Sequence, residues 1–372
     1  MLAELVLRHP GAWRALGDWE TRLLTRQLAQ VSIDRPVFIA GLARAGTTVL
    51  LRKLCELPGF VSHRYADFPF LFTPYAWSRL RRPRPEVPRE RMHADRIMVT
   101  AESPEAMEEV LWTAFFAHLH DPARSNVLDG IVRRPDFDAF FADHIRKLLL
   151  ARGGRRYVSK NNYNVTRLGY LARLFPDARF IVPVRDPVAH VASLAKQHAL
   201  FSRIQRESAS VRRRLALVGH FEFGLDRRPI NPGDDGAIAS IQACWDREED
   251  ARGWARYWAL IYRHLLQRFD ADPDLARRTL LLRYEVLCDQ PEGTALAIAR
   301  HTGVVPAEAR RLATGLAAPD YYVPAFTPEE LAAIAEETEL VVRRLARLRL
   351  NDRARSPGPS LAAASSSSPP ES

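Results

Sequence analysis

Short apolar runs separated by polar turns predict a parallel β-sheet with helices between its strands. β-Rich runs at residues 36–41, 157–159, 180–184 and 279–282 predict strands, and the first leads into a helix-like stretch at about 47–57. Alternating strands and helices fold as a parallel sheet that helices cover on both faces. The pattern therefore predicts an α/β fold, a three-layer sandwich with a central parallel sheet flanked by helices.

The remaining pattern predicts a single domain over residues 1–355, with additions around the sheet. These additions are a helical lead-in at 1–34, a largely helical insertion at about 60–150 and a mobile cover at about 199–235. The tail at 356–372 is rich in Ser and Pro and is predicted to be disordered.

A loop bounded by glycines follows the first predicted strand, in the segment PVFIAGLARAGTTVLL. Gly41 and Gly46 bracket the loop, and Thr47 and Thr48 open the next helix. Such a loop can wrap an anion with its backbone N–H groups at a helix N-terminus. In a nucleoside-triphosphate P-loop a Lys follows the second glycine, whereas here Thr47 holds that place and Arg44 lies inside the loop. The fold prediction thus narrows to a P-loop-like sandwich, and the missing Lys points to a ligand other than a nucleoside triphosphate.

A second candidate anion-binding segment follows the predicted strand at 180–184. Arg185 stands at the carboxyl end of that strand, and Asp186 and Pro187 open the next helix, because Pro suits a first helical turn. Ser193 lies eight residues after Arg185, roughly two turns into the helix. Ligands of open α/β sheets bind outside the carboxyl ends of the strands. A guanidinium and a hydroxyl at this edge therefore predict a receptor for a phosphomonoester.

Together the two segments resemble the sulfotransferase family, which takes its sulfuryl group from 3′-phosphoadenosine 5′-phosphosulfate (PAPS). The segment AGTT, with Arg44 directly before it, is similar to the family's 5′-phosphosulfate loop. The stretch VRDPVAHVASL is similar to its 3′-phosphate segment, in which an Arg and a Ser also stand eight residues apart. A third stretch, TLLLRYEVLCDQPEGTALAIARHTGV, resembles the family's late strand–helix unit. The pieces follow the family's order from residue 36 to about 304, and look closest to its tyrosylprotein-type and bacterial branches.

The resemblance implies a donor site and a set of roles. The residues that would hold the 5′-phosphosulfate are Arg44, Ala45, Gly46, Thr47 and Thr48. Arg185 and Ser193 would hold the 3′-phosphate, unless Arg185 only caps a helix with Asp186. Arg44 and Lys160 would stabilise charge on the transferring group, since the tyrosylprotein-type branch has a Lys at the place of Lys160; a surface lysine at a turn is the alternative. The acceptor would be a hydroxyl or amine on an unidentified saccharide, lipid, peptide or small natural product, with no metal ion taking part.

The general base for the acceptor is predicted to be Asp67, near where the tyrosylprotein-type branch carries its Glu. The rival candidates are His63, His93, Glu102 and Glu108. Residues 104–119 predict a helix in the acceptor-side insertion, with Glu108 and Glu109 on its solvated face. A nearby aromatic stretch predicts either the lining of an acceptor cleft or ordinary core: Phe68, Phe70, Phe72, Tyr75 and Trp77.

Composition supports an anionic ligand without identifying it. The formal net charge is +10, and only 4 of the 54 basic residues are lysines. An excess of positive charge suits an anionic cofactor, although a solvated basic surface is the alternative. The 3 cysteines are far apart in the sequence and give neither a metal-binding spacing nor a disulfide framework, which favours a reducing cytoplasm. The abundance of Ala and Arg favours a high-GC bacterial gene, and the absence of a long apolar run predicts no transmembrane helix.

Two other function classes explain part of the pattern. A P-loop kinase or NTPase would account for the glycine loop, but the expected Lys and a convincing Walker-B-like run are missing. A nucleic-acid-binding protein would account for the charge, but the arginines are spread along the chain without a recognisable reading motif. Sulfuryl transfer explains both segments and their spacing.

Overall fold

A sheet of five parallel strands forms the centre of the computed structural model, which describes residues 2–82, 85–316 and 324–348. The strands, in chain order, are β1 (Val37–Ile39), β2 (Phe60–Val61), β3 (Arg89–Glu90), β4 (Met98–Val99), β5 (Arg156–Lys160), β6 (Arg179–Val184) and β7 (Thr279–Arg283). The central sheet has the order β2-β5-β1-β6-β7, and β3 pairs with β4 in a separate antiparallel hairpin. The predicted α/β fold with a central parallel sheet is confirmed.

Helices make up most of the rest of the described chain. In the first half they are α1 (Leu2–Arg8), α2 (Pro10–Leu23), α3 (Thr25–Leu28), α4 (Thr47–Cys55), α5 (Pro74–Leu80), α6 (Glu109–Phe115), α7 (Pro135–Arg152) and α8 (Leu168–Leu174). In the second half they are α9 (Pro187–Glu207), α10 (Ala209–Leu217), α11 (Asp235–Asp246), α12 (Asp250–Ala271), α13 (Pro273–Arg277), α14 (Tyr284–Asp289), α15 (Pro291–Thr302), α16 (Pro306–Ala313) and α17 (Pro328–Arg347). Two 3₁₀ turns, Tyr65–Asp67 and Asn162–Thr166, follow β2 and β5.

Side chains of the central strand β1 alternate between two hydrophobic layers. Phe38 belongs to a large core on one face of the sheet, which includes residues of α7, α8, α9 and α12. Val37 and Ile39 belong to the core on the other face, which includes residues of α4, α14, α15 and α16. Successive strand residues point to opposite faces of the sheet, and helices cover both faces. All three residues of β1 are therefore buried, which explains the continuous apolar run in the sequence.

The strand register brings the ends of three strands to one edge. In β1, Ile39 pairs with Lys160 of β5 on one side and with Ile181 of β6 on the other. The loops that follow these strands carry the glycine-bounded segment, Asn161 and Arg185. β1 lies between β5 and β6, so the loop after β1 emerges between its two neighbours. This is the crevice in which ligands of open α/β sheets bind.

Several boundaries differ from the predicted ones. The helix predicted at 104–119 begins only at Glu109, because the chain before it runs beside the 3₁₀ turn after β2 and bonds the backbone there, as in Tyr65 N to Ser103 O and Glu105 N to His63 O. Within the segment 199–235, α9 continues to Glu207 and α10 follows it. α1 to α3 lie in the predicted lead-in. The predicted disordered tail at 356–372 lies outside the described residues, and in the described part of the chain no helix is long and apolar enough to span a bilayer.

Candidate active site

The loop after β1 has the backbone shape of an anion-binding loop. Gly46, directly before α4, has φ of 101°, and a Cβ there would lie 2.6 Å from a ring atom of Tyr284, so only glycine fits. Arg44 also has a left-handed backbone, with φ of 72°. The first intrahelical bond of α4 runs from Leu50 N to Gly46 O. The N–H groups of the preceding helical residues therefore have no acceptor within the helix and are directed at the crevice.

The side chain of Arg44 joins the loop to the second predicted segment. Its Nε donates to Ser193 Oγ over 3.2 Å. Arg185 lies beside the same loop, where one of its terminal nitrogens is 3.4 Å from Arg44 O and its guanidinium covers the ring of Tyr284 at 5.2 Å. The two motifs found in the sequence thus meet in one place, and each brings a guanidinium to it.

Lys160 ends β5 on the other side of the loop. Its Nζ donates to Thr48 Oγ1 over 2.8 Å and lies 2.8 Å from Glu105 Oε1. Since the side chain is 10% exposed, it is not an ordinary surface lysine. Lys160 and Arg44 therefore approach the start of α4 from neighbouring strands, and Thr48 lies between the loop and Lys160.

Glu105 is a site residue that the sequence did not single out. Besides Lys160, its carboxylate accepts a hydrogen bond from Tyr65 OH over 2.7 Å and lies 3.7 Å from the guanidinium of Arg91. Burial alone would raise the pKa of Glu105, but the positive charges of Lys160 and Arg91 outweigh it and lower the pKa to about 2. Glu105 is thus an ionised carboxylate beside the loop, and only the tertiary structure brings it there.

Arg91 and Asp95 are further unpredicted residues, from the loop between β3 and β4. A terminal nitrogen of Arg91 donates to Thr48 Oγ1 over 3.2 Å. Its Nε donates to Asp95 Oδ1 over 2.9 Å, and Arg44 reaches Asp95 Oδ2 over 2.7 Å. Burial would raise the pKa of Asp95, but hydrogen bonds and charge from Arg91 and Arg44 lower it. The described site therefore contains a third guanidinium and a carboxylate shared by two of them.

Asp67, the predicted base, lies in a different cluster. Its carboxylate accepts hydrogen bonds from Arg152 over 2.5 Å and from the Arg64 backbone N–H over 2.9 Å, and His63 Nδ1 lies 3.1 Å away. Burial would raise the pKa of Asp67, but His63 and Arg152 lower it below the usual range of an aspartate. The side chain is 8% exposed and has no contact with Lys160 among those described. Glu105, rather than Asp67, is therefore the carboxylate beside Lys160 and the start of α4.

Two of the rival bases, His63 and Glu102, have their partners outside this site. His63 Nε2 lies 3.0 Å from His144 Nε2, and Glu102 pairs on the surface with two arginines. His93 instead lies on the loop between β3 and β4 that also carries Arg91, and its ring packs against Phe201. Burial, together with the positive charges of Arg91, Arg44 and Lys160, holds its pKa well below that of a free histidine.

The prediction that Glu108 and Glu109 face solvent is wrong. Glu108 is buried and accepts a hydrogen bond from Tyr157 OH, and Glu109 pairs with Arg167 over 2.7 Å. Burial would raise the pKa of Glu109, but Arg167 and His120 lower it. These carboxylates are internal partners of buried cations and hydroxyls, a role that the sequence pattern did not indicate.

The aromatic stretch after the 3₁₀ turn divides between core and surface. Phe72 is fully buried. Phe70 and Trp77 are half-buried and pack together with ring centroids 4.4 Å apart, and the Trp77 indole N–H donates to Ala66 O. Phe68 and Tyr75 are also half-buried. The stretch is therefore partly core. Its half-buried rings follow directly in the chain after the 3₁₀ turn that carries Tyr65.

The hydrogen-bond donors of this site fit an anion with several charged oxygens. Three guanidiniums and one ammonium converge on a helix N-terminus, with the hydroxyls of Thr48 and Ser193 between them. Arginine forks and backbone N–H groups are the usual partners of phosphate and sulfate oxygens. No cluster of three potential metal-ligating side chains occurs among the residues that the structure describes. The arrangement can hold a polyanion and stabilise charge that moves along it.

A solved sulfotransferase structure has the same fold. The chain aligns with a sulfotransferase of Mycobacterium avium at a TM-score of 0.53 and 14% identity, over 87% of this chain and 81% of that one. A sulfotransferase of Mycobacterium tuberculosis H37Rv aligns at a TM-score of 0.46 and 18% identity, over 89% and 81% of the two chains. At these identities the likeness to the Mycobacterium avium protein shows the fold alone.

The family is shown by the sequence model that the chain matches. The model is described as the sulfotransferase family, and it matches residues 36–226, just over half of the 372 residues. No curated protein matches the chain significantly. The matched range runs from β1 through the glycine-bounded loop, Lys160 and Arg185 to Ser193 and beyond, so it includes every charged group and hydroxyl of the site described above, though not Tyr284. The chain belongs to the sulfotransferase family.

Proposed function

We propose that this sulfotransferase takes its sulfuryl group from PAPS and transfers it to a hydroxyl or amine acceptor. The observation that carries the proposal is the contact of Arg44 with Ser193, which joins the loop motif to the second motif. A donor with a 5′-phosphosulfate and a 3′-phosphate needs two anion sites on one side of the sheet. Two such sites, separated by one side-chain contact, match the two anionic ends of PAPS.

The donor's 5′-phosphosulfate would lie against the loop. Backbone N–H groups from Ala45 to Thr48 and the hydroxyls of Thr47 and Thr48 would donate to its oxygens. Gly46 permits the left-handed turn of this loop and the close packing of Tyr284 against it. Arg185 and Ser193 would hold the 3′-phosphate, which distinguishes PAPS from an ordinary adenosine 5′-nucleotide.

Arg44 and Lys160 would stabilise the charge that develops during transfer. In an in-line displacement the acceptor forms a bond to sulfur while the bond from sulfur to the bridging oxygen breaks, and 3′-phosphoadenosine 5′-phosphate (PAP) leaves. Negative charge then grows on that bridging oxygen. Cations already held in place stabilise it without the cost of reorganising at the moment of reaction. Lys160 is held by Thr48 and Glu105, and Arg44 by Ser193.

Glu105 is our proposed acceptor of the substrate proton, and Asp67 is the alternative from the sequence. Glu105 is in direct contact with Lys160, a residue proposed to act on the transferring group. Both carboxylates are ion-paired, Glu105 with Lys160 and Asp67 with Arg152, but the described partners of Asp67 include none of the residues around the loop. A base must also reach the acceptor's hydroxyl or amine, and the side chain adjacent to the sulfuryl group is the better placed of the two.

The proposed acceptor is a saccharide, a lipid, a peptide or a small natural product. The half-buried edges of Phe70 and Trp77 could pack against an apolar or sugar face. Free cysteines throughout the chain support a reducing compartment, and we propose the cytoplasm of a bacterium as the location.

A thermal-shift panel separates this proposal from its rivals. PAP should raise the melting temperature more than ATP or an oligonucleotide at equal concentration, because ligands stabilise the state that they bind. A larger shift with ATP would favour a kinase or NTPase, and a larger shift with the oligonucleotide would favour nucleic-acid binding. The acceptor class would then be sought by screening metabolite pools for transfer from labelled PAPS.

A further inference from the structure

The loop between β3 and β4 places two charged residues in the donor site that no motif of the sequence indicates. Arg91 is buried, and its guanidinium bonds to Thr48 and to Asp95. Asp95 is also buried, and its Oδ2 accepts from Arg91 over 2.5 Å and from Arg44 over 2.7 Å. The Asp95 carboxylate therefore lies between the guanidiniums of Arg91 and Arg44. An anion bound to the loop after β1 would contact the same two guanidiniums.

The hairpin is attached to both helices that carry donor-site hydroxyls. Arg52 of α4 donates to Met98 O over 3.2 Å, and Gln197 of α9 donates to His93 O over 2.9 Å. Thr48 belongs to α4 and Ser193 belongs to α9. Arg91 is thus held against the site from both sides, whereas Asp95 enters it from the tip of the loop.

The backbone around Asp95 adopts a conformation that directs its side chain inward. Its two neighbours, Ala94 and Arg96, have φ of 45° and 61°, which residues other than glycine rarely adopt. Both neighbours are exposed, but Asp95 is buried. The ion pairs with Arg44 and Arg91 offset the cost of this turn.

From these contacts we propose that Arg91 is a further donor-binding cation and that Asp95 is an internal anion competing with the donor's phosphosulfate for Arg44 and Arg91. The inference rests on the proposed function. Phosphosulfate oxygens would take over the guanidinium contacts that Asp95 makes, and Asp95 would turn away. A carboxylate beside this site repels the donor's negative charge, so Asp95 weakens donor binding while it keeps the two guanidiniums in place.

A structural role for Asp95 makes the opposite prediction. If Asp95 served only to orient Arg44 and Arg91, its loss would leave them misplaced and weaken donor binding. If Asp95 competes with the donor, a neutral side chain of similar shape strengthens binding. The sign of one measured change in affinity therefore distinguishes competition from orientation.

The experiment is calorimetric titration of the full chain with PAP. We expect Asp95→Asn to bind PAP roughly tenfold more tightly than wild type, because one repelling charge is removed. Arg91→Gln should bind it roughly tenfold or more weakly, from loss of a charge-assisted contact. The matched control is Glu56→Gln, which removes one carboxylate from an exposed pair with Lys53 at the end of α4 and should leave the affinity unchanged.

The outcomes are separable from those of the proposed function. Failure of wild type to bind PAP would contradict the proposed donor, whatever the variants do. Binding by wild type with equal or weaker binding by Asp95→Asn would overturn the role of Asp95, and unchanged binding by Arg91→Gln would overturn that of Arg91. Should Asp95→Asn not fold, Asp95→Ser carries the same prediction, and Asp95→Glu, which keeps the charge, should bind no more tightly than wild type.

Discussion

Arg44 Nε donates a hydrogen bond to Ser193 Oγ over 3.2 Å, although 149 residues separate the two in the chain. Arg44 has a left-handed backbone that is part of the loop after β1, and Ser193 lies on α9 after β6. β1 and β6 are neighbours in the sheet, so their carboxyl ends bring the two residues together. The contact links the proposed 5′-phosphosulfate and 3′-phosphate sites, because Arg44 belongs to the first and Ser193 to the second.

Arg44→Ala should reduce turnover strongly and PAP affinity less. We expect a loss of about 10²–10³ in kcat, because an interaction that strengthens as charge develops acts mainly in the transition state. The measurement is sulfuryl transfer from labelled PAPS, with PAP affinity measured in parallel. Normal turnover in the variant would exclude this role.

Arg185→Ala should remove the preference for PAP over AMP. The two nucleotides differ by the 3′-phosphate, and a charge-assisted contact to it is worth roughly 1.5–3 kcal/mol, or about one to two powers of ten in affinity. Competition titrations with the two nucleotides measure the ratio directly. Arg277→Ala is the control, because Arg277 pairs with Asp274 on the exposed surface of α13. A preference that survives in Arg185→Ala means that another group reads the 3′-phosphate.

Lys160→Arg should impair catalysis although the charge is kept. Nζ of Lys160 contacts Thr48 and Glu105, both at 2.8 Å, in a largely buried position. A planar guanidinium is larger and cannot reproduce both contacts from the same place. Lys53→Arg is the matched control, since Lys53 pairs with Glu56 near the end of α4. Equal turnover in Lys160→Arg and wild type would show that the ammonium is not required.

Glu105→Gln should lower turnover by on the order of 10²–10⁴ while PAP binding is kept or strengthened, because the amide cannot accept the acceptor's proton. Asp67→Asn is the paired variant. It should also destabilise the fold, since Arg152 would keep a buried charge without its partner, but its turnover per folded molecule should stay near that of wild type. Turnover per folded molecule distinguishes the two. A large loss in Asp67→Asn with normal turnover in Glu105→Gln would return the role of base to Asp67.

The stability contributed by Glu105 should depend on pH. Its pKa falls from 4.5 to about 2 on folding, so the ionised form stabilises the native state above pH 4.5 and this contribution is lost as pH falls toward 2. Wild type should therefore be more stable than Glu105→Gln at neutral pH, by on the order of 3 kcal/mol. Chemical denaturation at pH 7 and pH 3 should show this difference shrinking on acidification. A difference independent of pH would mean that Glu105 is not paired as described.

The sequence predicted those parts of the molecule that depend on local pattern. Four of the five central strands, the loop with Arg44 and Gly46, and the spacing of Arg185 and Ser193 are each contained in a continuous segment, where apolar runs, glycines and helix starts can be recognised. β2 was not predicted because it has only two residues, Phe60 and Val61.

Residues whose role depends on distant contacts were missed. Glu105, Arg91 and Asp95 lie in irregular segments, and each enters the site only because the chain after β2 folds back over α4. The sequence predicted a solvent-exposed Glu109, because it does not reveal that Arg167, 58 residues later, is buried beside it. Periodicity predicts which face of an element is apolar, but it does not predict buried ion pairs between elements.

The most direct test of the account is the affinity of the full chain for PAP, AMP and ATP under identical conditions, measured by calorimetry. Recognition of both ends of the donor requires the loop around Arg44 and the pair Arg185 and Ser193 to act as one site. We predict that PAP binds with one site per chain and at least about tenfold more tightly than AMP or ATP. Binding of ATP or AMP as tight as that of PAP would contradict the proposal that this site reads PAPS.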